Sequence, residues 1–160
     1  MADNPLHLAE RLLAEGQKIV GFFHNLEVGQ WELQIYMDGG QWTVHEILAH
    51  LISAEVGNTR IIKNILAGGE GSPPVFDIDG FNAQDVPHWS SAASRELIDD
   101  FHHRRTLTAE VTKSLSVEEL ERTGRHPFLG ATTVADILKL IIVHNRLHLR
   151  DIQRALENNP

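Results

Sequence analysis

Cysteine is absent from this sequence. Disulfide bonds, thiolate metal ligands and a cysteine nucleophile supplied by the chain itself are therefore excluded. Runs of roughly 20 apolar residues, which a membrane-spanning helix requires, are also absent. The first ten residues lack the basic region and the apolar stretch of a signal peptide. Together these absences predict a cytoplasmic protein that does not associate with membranes.

Positive charge is scarce. The chain has 14 lysines and arginines against 22 aspartates and glutamates, for a formal net charge of -8. Because nucleic-acid binding depends largely on contacts of lysine and arginine with phosphates, we expect no nucleic-acid partner. The one dense basic cluster is Arg104-Arg105 beside His102-His103. We interpret this cluster as the solvated face of a helix.

Four long segments carry apolar residues at helical spacing, whereas strand patterns are almost absent. The first begins at Asn4-Pro5, a helix cap followed by proline at the first helical position. The second begins with the capping box Thr43-Val44-His45-Glu46 and stops at Gly68-Gly69. The segments cover residues 4 to about 25–29, 43–68, about 91–114, and 132 or 133 to about 157. The sequence therefore predicts an all-α protein, a single four-helix bundle domain spanning residues 1–160.

The connection between the second and third helices is long. Residues 68–90 contain three prolines and several glycines, and they are too many for a tight turn. A crossover of this length permits helices two and three to run parallel. Such loops commonly contribute to binding sites. Two smaller features follow the third helix: a short helical turn opened by the capping box at Ser116, and a loop at residues 124–131.

Histidines occupy the apolar faces of two helices. His144 and His148 lie four residues apart on the fourth helix, on a face otherwise made of aliphatic residues, so both point inward. Two such imidazoles can hold one metal ion, or they can be core residues that form hydrogen bonds with backbone or carboxylate groups. His50 adds a third inward imidazole from the second helix. The sequence therefore predicts a divalent-metal site made by His50, His144 and His148.

Two other metal patterns fail on geometry. His45 and His50 resemble the histidine pair of zinc proteases, but at i and i+5 their side chains diverge by roughly 140° around a helix. The loop 77–82 has acidic residues, yet its glycine is misplaced for a calcium loop and no glutamate closes it. His88 and His126 are expected to be solvated loop histidines.

Three motifs resemble those of the DinB-like superfamily. Residues 42–55, WTVHEILAHLISAE, resemble the signature of its second helix, and residues 144–152, HNRLHLRDI, resemble its C-terminal H-x-x-x-H helix. The loop 126–133, HPFLGATT, looks like the lead-in to that helix. The motifs occur in matching order over nearly the whole chain.

This resemblance implies a four-helix bundle with one long crossover, often homodimeric. It implies a metal bound by His50, His144 and His148, usually zinc or nickel and sometimes iron. Characterised members of the superfamily include S-transferases that use the low-molecular-weight thiols mycothiol or bacillithiol, and a thiol-dependent maleylpyruvate isomerase.

Three functions stay open at this point. The first is a transferase in which the metal activates a low-molecular-weight thiol that attacks a small-molecule substrate. The second is a metal-dependent hydrolase that uses water in the same position. The third is a non-catalytic bundle that binds a metal or ligand. Glu46 and Asp151 either orient the histidines or are surface residues. Trp42, Trp89 and Phe128 either shape the substrate site or serve ordinary packing.

Overall fold

The computed structural model describes residues 3–160, and four long helices form its body. They are α1 (Pro5–His24), α2 (Val44–Leu66), α4 (Ser94–Ser114) and α6 (Val134–Asn158). The helix α1 packs along α4 and α6, and α2 packs against α4 and α6. The predicted all-α four-helix bundle is confirmed. Among the described residues, no helix is both long and apolar enough to cross a lipid bilayer.

Local capping explains where the helices begin. The Asn4 side chain accepts from the backbone N–H of His7, and proline follows at the first helical position. Thr43 and Glu46 form the reciprocal capping box that the sequence predicts for α2. Thr133, rather than Thr132, caps α6 by accepting from the N–H of Asp136. The chain leaves α2 through Gly68, whose φ of 89° favours glycine.

The crossover between α2 and α4 contains a helix of its own. The helix α3 (Ile78–Ser90) begins after Asp77, whose side chain accepts from the N–H of Gly80. The aspartate that suggested a calcium loop is thus a helix cap. A short helix, α5 (Val117–Leu120), follows α4 and begins at the predicted Ser116 capping box.

The segment expected to be a loop at 124–131 is largely a β-hairpin. Strands β1 (Thr123–His126) and β2 (Gly130–Thr133) pair antiparallel, with Thr123 opposite Thr133 and His126 opposite Gly130. Gly71 of the crossover forms a parallel bridge with Arg125, which ties the crossover to the hairpin. The expectation was wrong here because each strand has only four residues and shows no clear alternation.

The interior has two apolar clusters separated by a polar layer. On each bundle helix, at least one buried polar residue lies between members of the two clusters. The charged and amide side chains of this polar layer are Glu15, Glu55, Arg105 and Asn145. Along the chain, α1 and α6 pass from the cluster that contains Leu8 and Ile141 to the cluster that contains Phe23 and Ile152, whereas α2 and α4 pass in the opposite direction. The helices α2 and α4 therefore run parallel, as the long crossover permits.

An ion pair forms the centre of the polar layer. Arg105 donates from Nε and Nη2 to the two carboxylate oxygens of Glu55, at 3.0 and 2.8 Å. Its Nη1 donates to the carbonyl of Leu12 at 3.3 Å. Only 1% of the Arg105 side chain and 2% of the Glu55 side chain are exposed. The interpretation of Arg105 as part of a solvated face is therefore wrong, although Arg104 beside it does pair with Asp100 near the surface.

Candidate metal centre

The three predicted histidines meet beside the polar layer. His50 comes from α2 and the other two come from α6. The Nε2 atom of His144 lies 3.0 Å from Nε2 of His50 and 3.0 Å from Nε2 of His148. One nitrogen from each ring lies within 4.8 Å of the other two. The structure thus brings together all three residues that the sequence singled out.

The nitrogen spacing fits a metal ion. In a tetrahedral site with Zn–N bonds of about 2.0–2.1 Å, neighbouring ligand nitrogens lie roughly 3.3 Å apart. The two Nε2–Nε2 distances of 3.0 Å are close to this value. Three imidazoles also leave at least one coordination position for another ligand, as in catalytic rather than structural sites.

Burial keeps the three imidazoles neutral, which is the form that binds metals. Burial lowers the pKa of His50 to about 2, and the proximity of His144 and His148 adds to the effect. Burial also lowers the pKa of His148 to about 3; proximity to His144 lowers it further, whereas Asp151 opposes the shift. The pKa of His144 is lowered by burial as well.

Tyr36 connects His148 to a carboxylate. The Tyr36 hydroxyl lies 2.8 Å from Nδ1 of His148 and donates to Oδ2 of Asp151 at 2.8 Å. Burial, together with the hydrogen bond to Asp151, raises the pKa of Tyr36 above its ordinary value, so the hydroxyl keeps its proton. Asp151, which the sequence suggested as an orienting group, thus reaches the ligand through a residue that the sequence reasoning missed.

Two other candidates differ from expectation. Glu46 binds the backbone N–H and the hydroxyl of Thr43, as part of the capping box, and makes no hydrogen bond with His50. Instead, the indole of Trp42 stacks on the His50 ring with centroids 4.4 Å apart and planes 29° apart. Nδ1 of His50 is buried and has no hydrogen-bond partner among residues 3–160. His50 is therefore held by stacking rather than by an outer hydrogen bond.

A cavity of about 560 Å³ opens beside the histidines. Its walls come from α2, α6, the crossover and the hairpin, and they include His50 and His144. Most of the remaining lining is apolar, and no aspartate or glutamate lies among these lining residues. The apolar lining includes Ile61, Phe76, Ile78, Phe81, Phe128, Leu140, Val143 and Leu147. The volume falls within the range of small-molecule binding sites.

The aromatic candidates differ in position. Phe128 lines this cavity and is 73% exposed, as expected for a residue at its mouth. Trp42 contacts the metal centre through His50. Trp89 instead donates its indole N–H to Asp85 and packs against the guanidinium of Arg104, and it is not part of the lining.

Two further histidines have structural partners. His45 lies within 2.9 Å of both the hydroxyl of Ser94 and the carbonyl of Ser90. It is thus directed toward α3 and α4, in agreement with the rejection of a protease-type pair. His126 is buried rather than solvated: its Nε2 lies 2.7 Å from Oδ1 of Asn58, and its Nδ1 accepts from the backbone of the hairpin turn. The expectation of a solvated residue was wrong because the hairpin closes over α2.

Comparison with known sequences gives a family match and several relatives. The model of the DinB superfamily matches residues 11–152. A protein of Oceanobacillus iheyensis named "Putative metal-dependent hydrolase" is 22% identical over 120 residues, which cover 75% of this chain and 68% of that protein. A Bacillus cereus (strain B4264) protein with the same name is 27% identical over 115 residues, 71% of this chain and 64% of that protein. The chain therefore spans about two thirds of the length of these relatives, and slightly less for the second.

Two solved structures share the fold. YfiT from Bacillus subtilis, described as a probable metal-dependent hydrolase with an unusual four-helix bundle topology, superimposes with a TM-score of 0.73 at 15% identity. The match covers 96% of this chain and 85% of YfiT. An uncharacterised protein from Clostridium difficile 630 gives a TM-score of 0.76 at 14% identity and covers 98% of both chains. At these identities the likeness establishes the bundle topology only.

Proposed function

This chain belongs to the DinB superfamily, and from that premise we propose that it is a metal-dependent enzyme whose ion is held by His50, His144 and His148. The convergence of three neutral imidazoles, one buried and two partly buried, on one point supports this proposal. Imidazole ligands suit zinc, nickel and iron alike, and we propose zinc or nickel first. A bound divalent cation supplies an electrophilic position that favours the deprotonated form of a water or thiol.

We propose that the nucleophile is an external low-molecular-weight thiol and that the reaction is S-transfer to a small electrophile. The observation that carries this choice is the composition of the cavity wall. None of the described residues that line the cavity is an aspartate or a glutamate, so they offer no carboxylate as general base or general acid. Thiol transfer would place the smallest demand on such groups: a cationic site favours the thiolate, whose proton goes to solvent, and the leaving group departs with its bonding electron pair as the new S–C bond forms. The chain has no cysteine, so the thiol must come from outside.

The lining also indicates the substrate. Phenylalanine and aliphatic side chains dominate the wall, and they favour an electrophile with a largely apolar body. They also restrict water at the histidines, which would otherwise compete with the thiol. Arg60 is the one arginine, lysine or carboxylate among the described lining residues, and it is exposed. We therefore propose an apolar small molecule that carries at most one anionic group.

A hydrolase is the second candidate. It is favoured by the names of the Oceanobacillus and Bacillus relatives and by the description of YfiT. The same three histidines and the same cavity would serve, with water as the nucleophile and an ester or amide as the substrate.

One experiment tests both candidates. The as-purified protein is analysed for its metal content and then loaded with zinc or nickel. It is next offered a panel of electrophiles with small thiols and, separately, a panel of esters and amides. Conjugation that requires both thiol and metal, and that is lost in His148→Ala but kept in the exposed-residue control His103→Ala, would support S-transfer. Metal-dependent ester or amide turnover without thiol would favour the hydrolase. A wild-type protein that binds no divalent metal would refute both.

A further inference from the structure

The connection between α1 and α2 contacts two of the three histidines. Residues 33–43, which we name the 33–43 connection, fold back on themselves with Gln34 bridged to Thr43. The backbone N–H of Ile35 donates to the carbonyl of Trp42 at 2.9 Å. This arrangement places Tyr36 and Trp42 near α2 and α6, where Trp42 stacks on His50 and Tyr36 contacts His148.

The hydrogen bonds of the Tyr36 hydroxyl determine which ring nitrogen of His148 carries the proton. A phenol has one proton to donate, and the Tyr36 hydroxyl gives it to Oδ2 of Asp151. If the proton pointed at His148 instead, the phenol oxygen would face a carboxylate oxygen 2.8 Å away with no hydrogen between them. Nδ1 of His148 therefore carries a proton and donates it to the phenol oxygen of Tyr36. The tautomer that results leaves the lone pair of Nε2 directed toward His144.

The carboxylate reaches His148 only through the phenol. Asp151 lies three residues after His148 on α6, and its Oδ2 binds the Tyr36 hydroxyl. Its other oxygen, Oδ1, accepts from Nη2 of Arg150 at 3.4 Å. Among the described residues, no direct hydrogen bond joins the carboxylate to the His148 ring.

We infer that Tyr36 is a positioning residue for the metal centre: it couples the Asp151 carboxylate to His148 and holds that ring as the Nδ1–H tautomer. The inference rests on the proposed metal site. A carboxylate linked to the far nitrogen of a ligand histidine orients the ring and raises its basicity toward the ion. The 33–43 connection thereby becomes part of the metal centre, although it supplies no ligand of its own.

The test begins with the metal-free protein. Selective ¹⁵N labelling of histidine, followed by long-range ¹H–¹⁵N correlation spectra, identifies which ring nitrogen carries the proton. We expect His148 to be the Nδ1–H tautomer in the wild type and to gain the Nε2–H tautomer in Tyr36→Phe. This variant removes one hydroxyl and keeps the aromatic ring that packs edge-on against His148. A role limited to packing would leave the tautomer unchanged.

Metal titration gives the second readout. We expect Tyr36→Phe to weaken zinc affinity by roughly 10–100-fold, the usual effect of losing an outer partner of a ligand. Asp151→Asn should weaken zinc binding, and the double variant should bind zinc as Tyr36→Phe alone does. Asp136→Asn is the matched control, since it removes one negative charge from the start of the same helix and should leave zinc affinity unchanged.

The outcomes separate the two proposals. A wild type that binds neither zinc nor nickel would refute the metal site, whereas the tautomer measurement would still test the hydrogen-bond assignment. Tight zinc binding that is equal in the wild type and Tyr36→Phe would overturn the inference about Tyr36 and leave the metal site intact. The inference about Tyr36 would also be overturned if the losses of zinc affinity caused by Tyr36→Phe and Asp151→Asn multiplied in the double variant. An Nε2–H tautomer of His148 in the wild type would overturn it as well.

Discussion

The ion pair at the centre of the polar layer gives the most quantitative prediction. Replacement of Glu55 by methionine leaves the Arg105 guanidinium buried, with the Leu12 carbonyl and the side chain of Asn145 as its remaining acceptors. Removal of one partner of a fully buried pair typically costs about 3–5 kcal/mol. We expect a loss of this size in the free energy of unfolding for Glu55→Met, and a similar loss for Arg105→Met, which strands the carboxylate.

The double variant should behave differently. Methionine at both positions removes both buried charges and retains much of the side-chain volume. We therefore expect its free energy of unfolding to lie within about 2 kcal/mol of the wild-type value, well short of the sum of the single losses. Asp100→Asn is the control, because it breaks the partly exposed pair with Arg104 and should cost no more than about 1 kcal/mol.

The assay is urea unfolding followed by far-ultraviolet circular dichroism, at pH 7 with a chelator present. The chelator removes any metal contribution, so that the measured change belongs to the polar layer alone. Single-variant losses below about 1 kcal/mol, or a double variant destabilised by the sum of the two, would refute the reasoning, because a dry, coupled pair predicts neither result.

Three further predictions concern the metal centre and its surroundings. His144→Ala should reduce zinc affinity by more than the roughly 10–100-fold expected for an outer partner of a ligand, because Nε2 of His144 contacts both other imidazole rings. A zinc affinity equal to that of the wild type, measured by calorimetry, would contradict this prediction. The metal-free protein should lose stability as the pH falls from about 6.5 toward 3, because the unfolded chain binds protons at His50 and His148 whereas the native state does not. The expected loss in the free energy of unfolding is about 1.4 kcal/mol per pH unit for each of the two histidines. Urea midpoints that stay constant from pH 7.5 to 5.0 would show that these pKa values are not depressed. Gly71→Ala should destabilise the protein by at least about 1–2 kcal/mol, since the φ of Gly71 is 87° and a Cβ there would meet the hairpin backbone. Gly21→Ala should stabilise the protein by about 0.5–1 kcal/mol, because a Cβ there meets open space. Thermal unfolding of both variants shows whether each substitution stabilises or destabilises the protein.

Local sequence signals predicted the helices well and singled out the three histidines that cluster in the structure. The capping boxes at Thr43 and Ser116 were legible because both partners lie within four residues of each other. His144 and His148 were assigned to one face because helical periodicity relates nearby residues. His50 followed from the same periodicity on α2. The position of all three in one cluster is observed, and the binding of a metal by them stays a prediction.

Features that depend on distant pairing escaped the sequence reasoning. Tyr36 lies 112 residues before His148, in a segment without periodicity, so no local pattern marks it as a partner of the metal centre. Arg105 was read as solvated because its neighbours are charged, whereas its burial depends on Glu55, 50 residues away. His126 became buried through the hairpin and Asn58, neither of which its own neighbours reveal.

The position of the histidines along the chain has a thermodynamic consequence. His50 and His144 are separated by 94 residues, so an ion shared by them would cross-link the second helix to the last and close most of the chain into a loop. By the chain-entropy relation developed for disulfides, closure of a loop of about 100 residues restricts the unfolded ensemble by roughly 4–5 kcal/mol for as long as the ion stays bound to both histidines. A protein without cysteine would thereby gain a tether comparable to a disulfide, one that a chelator releases and a reductant does not.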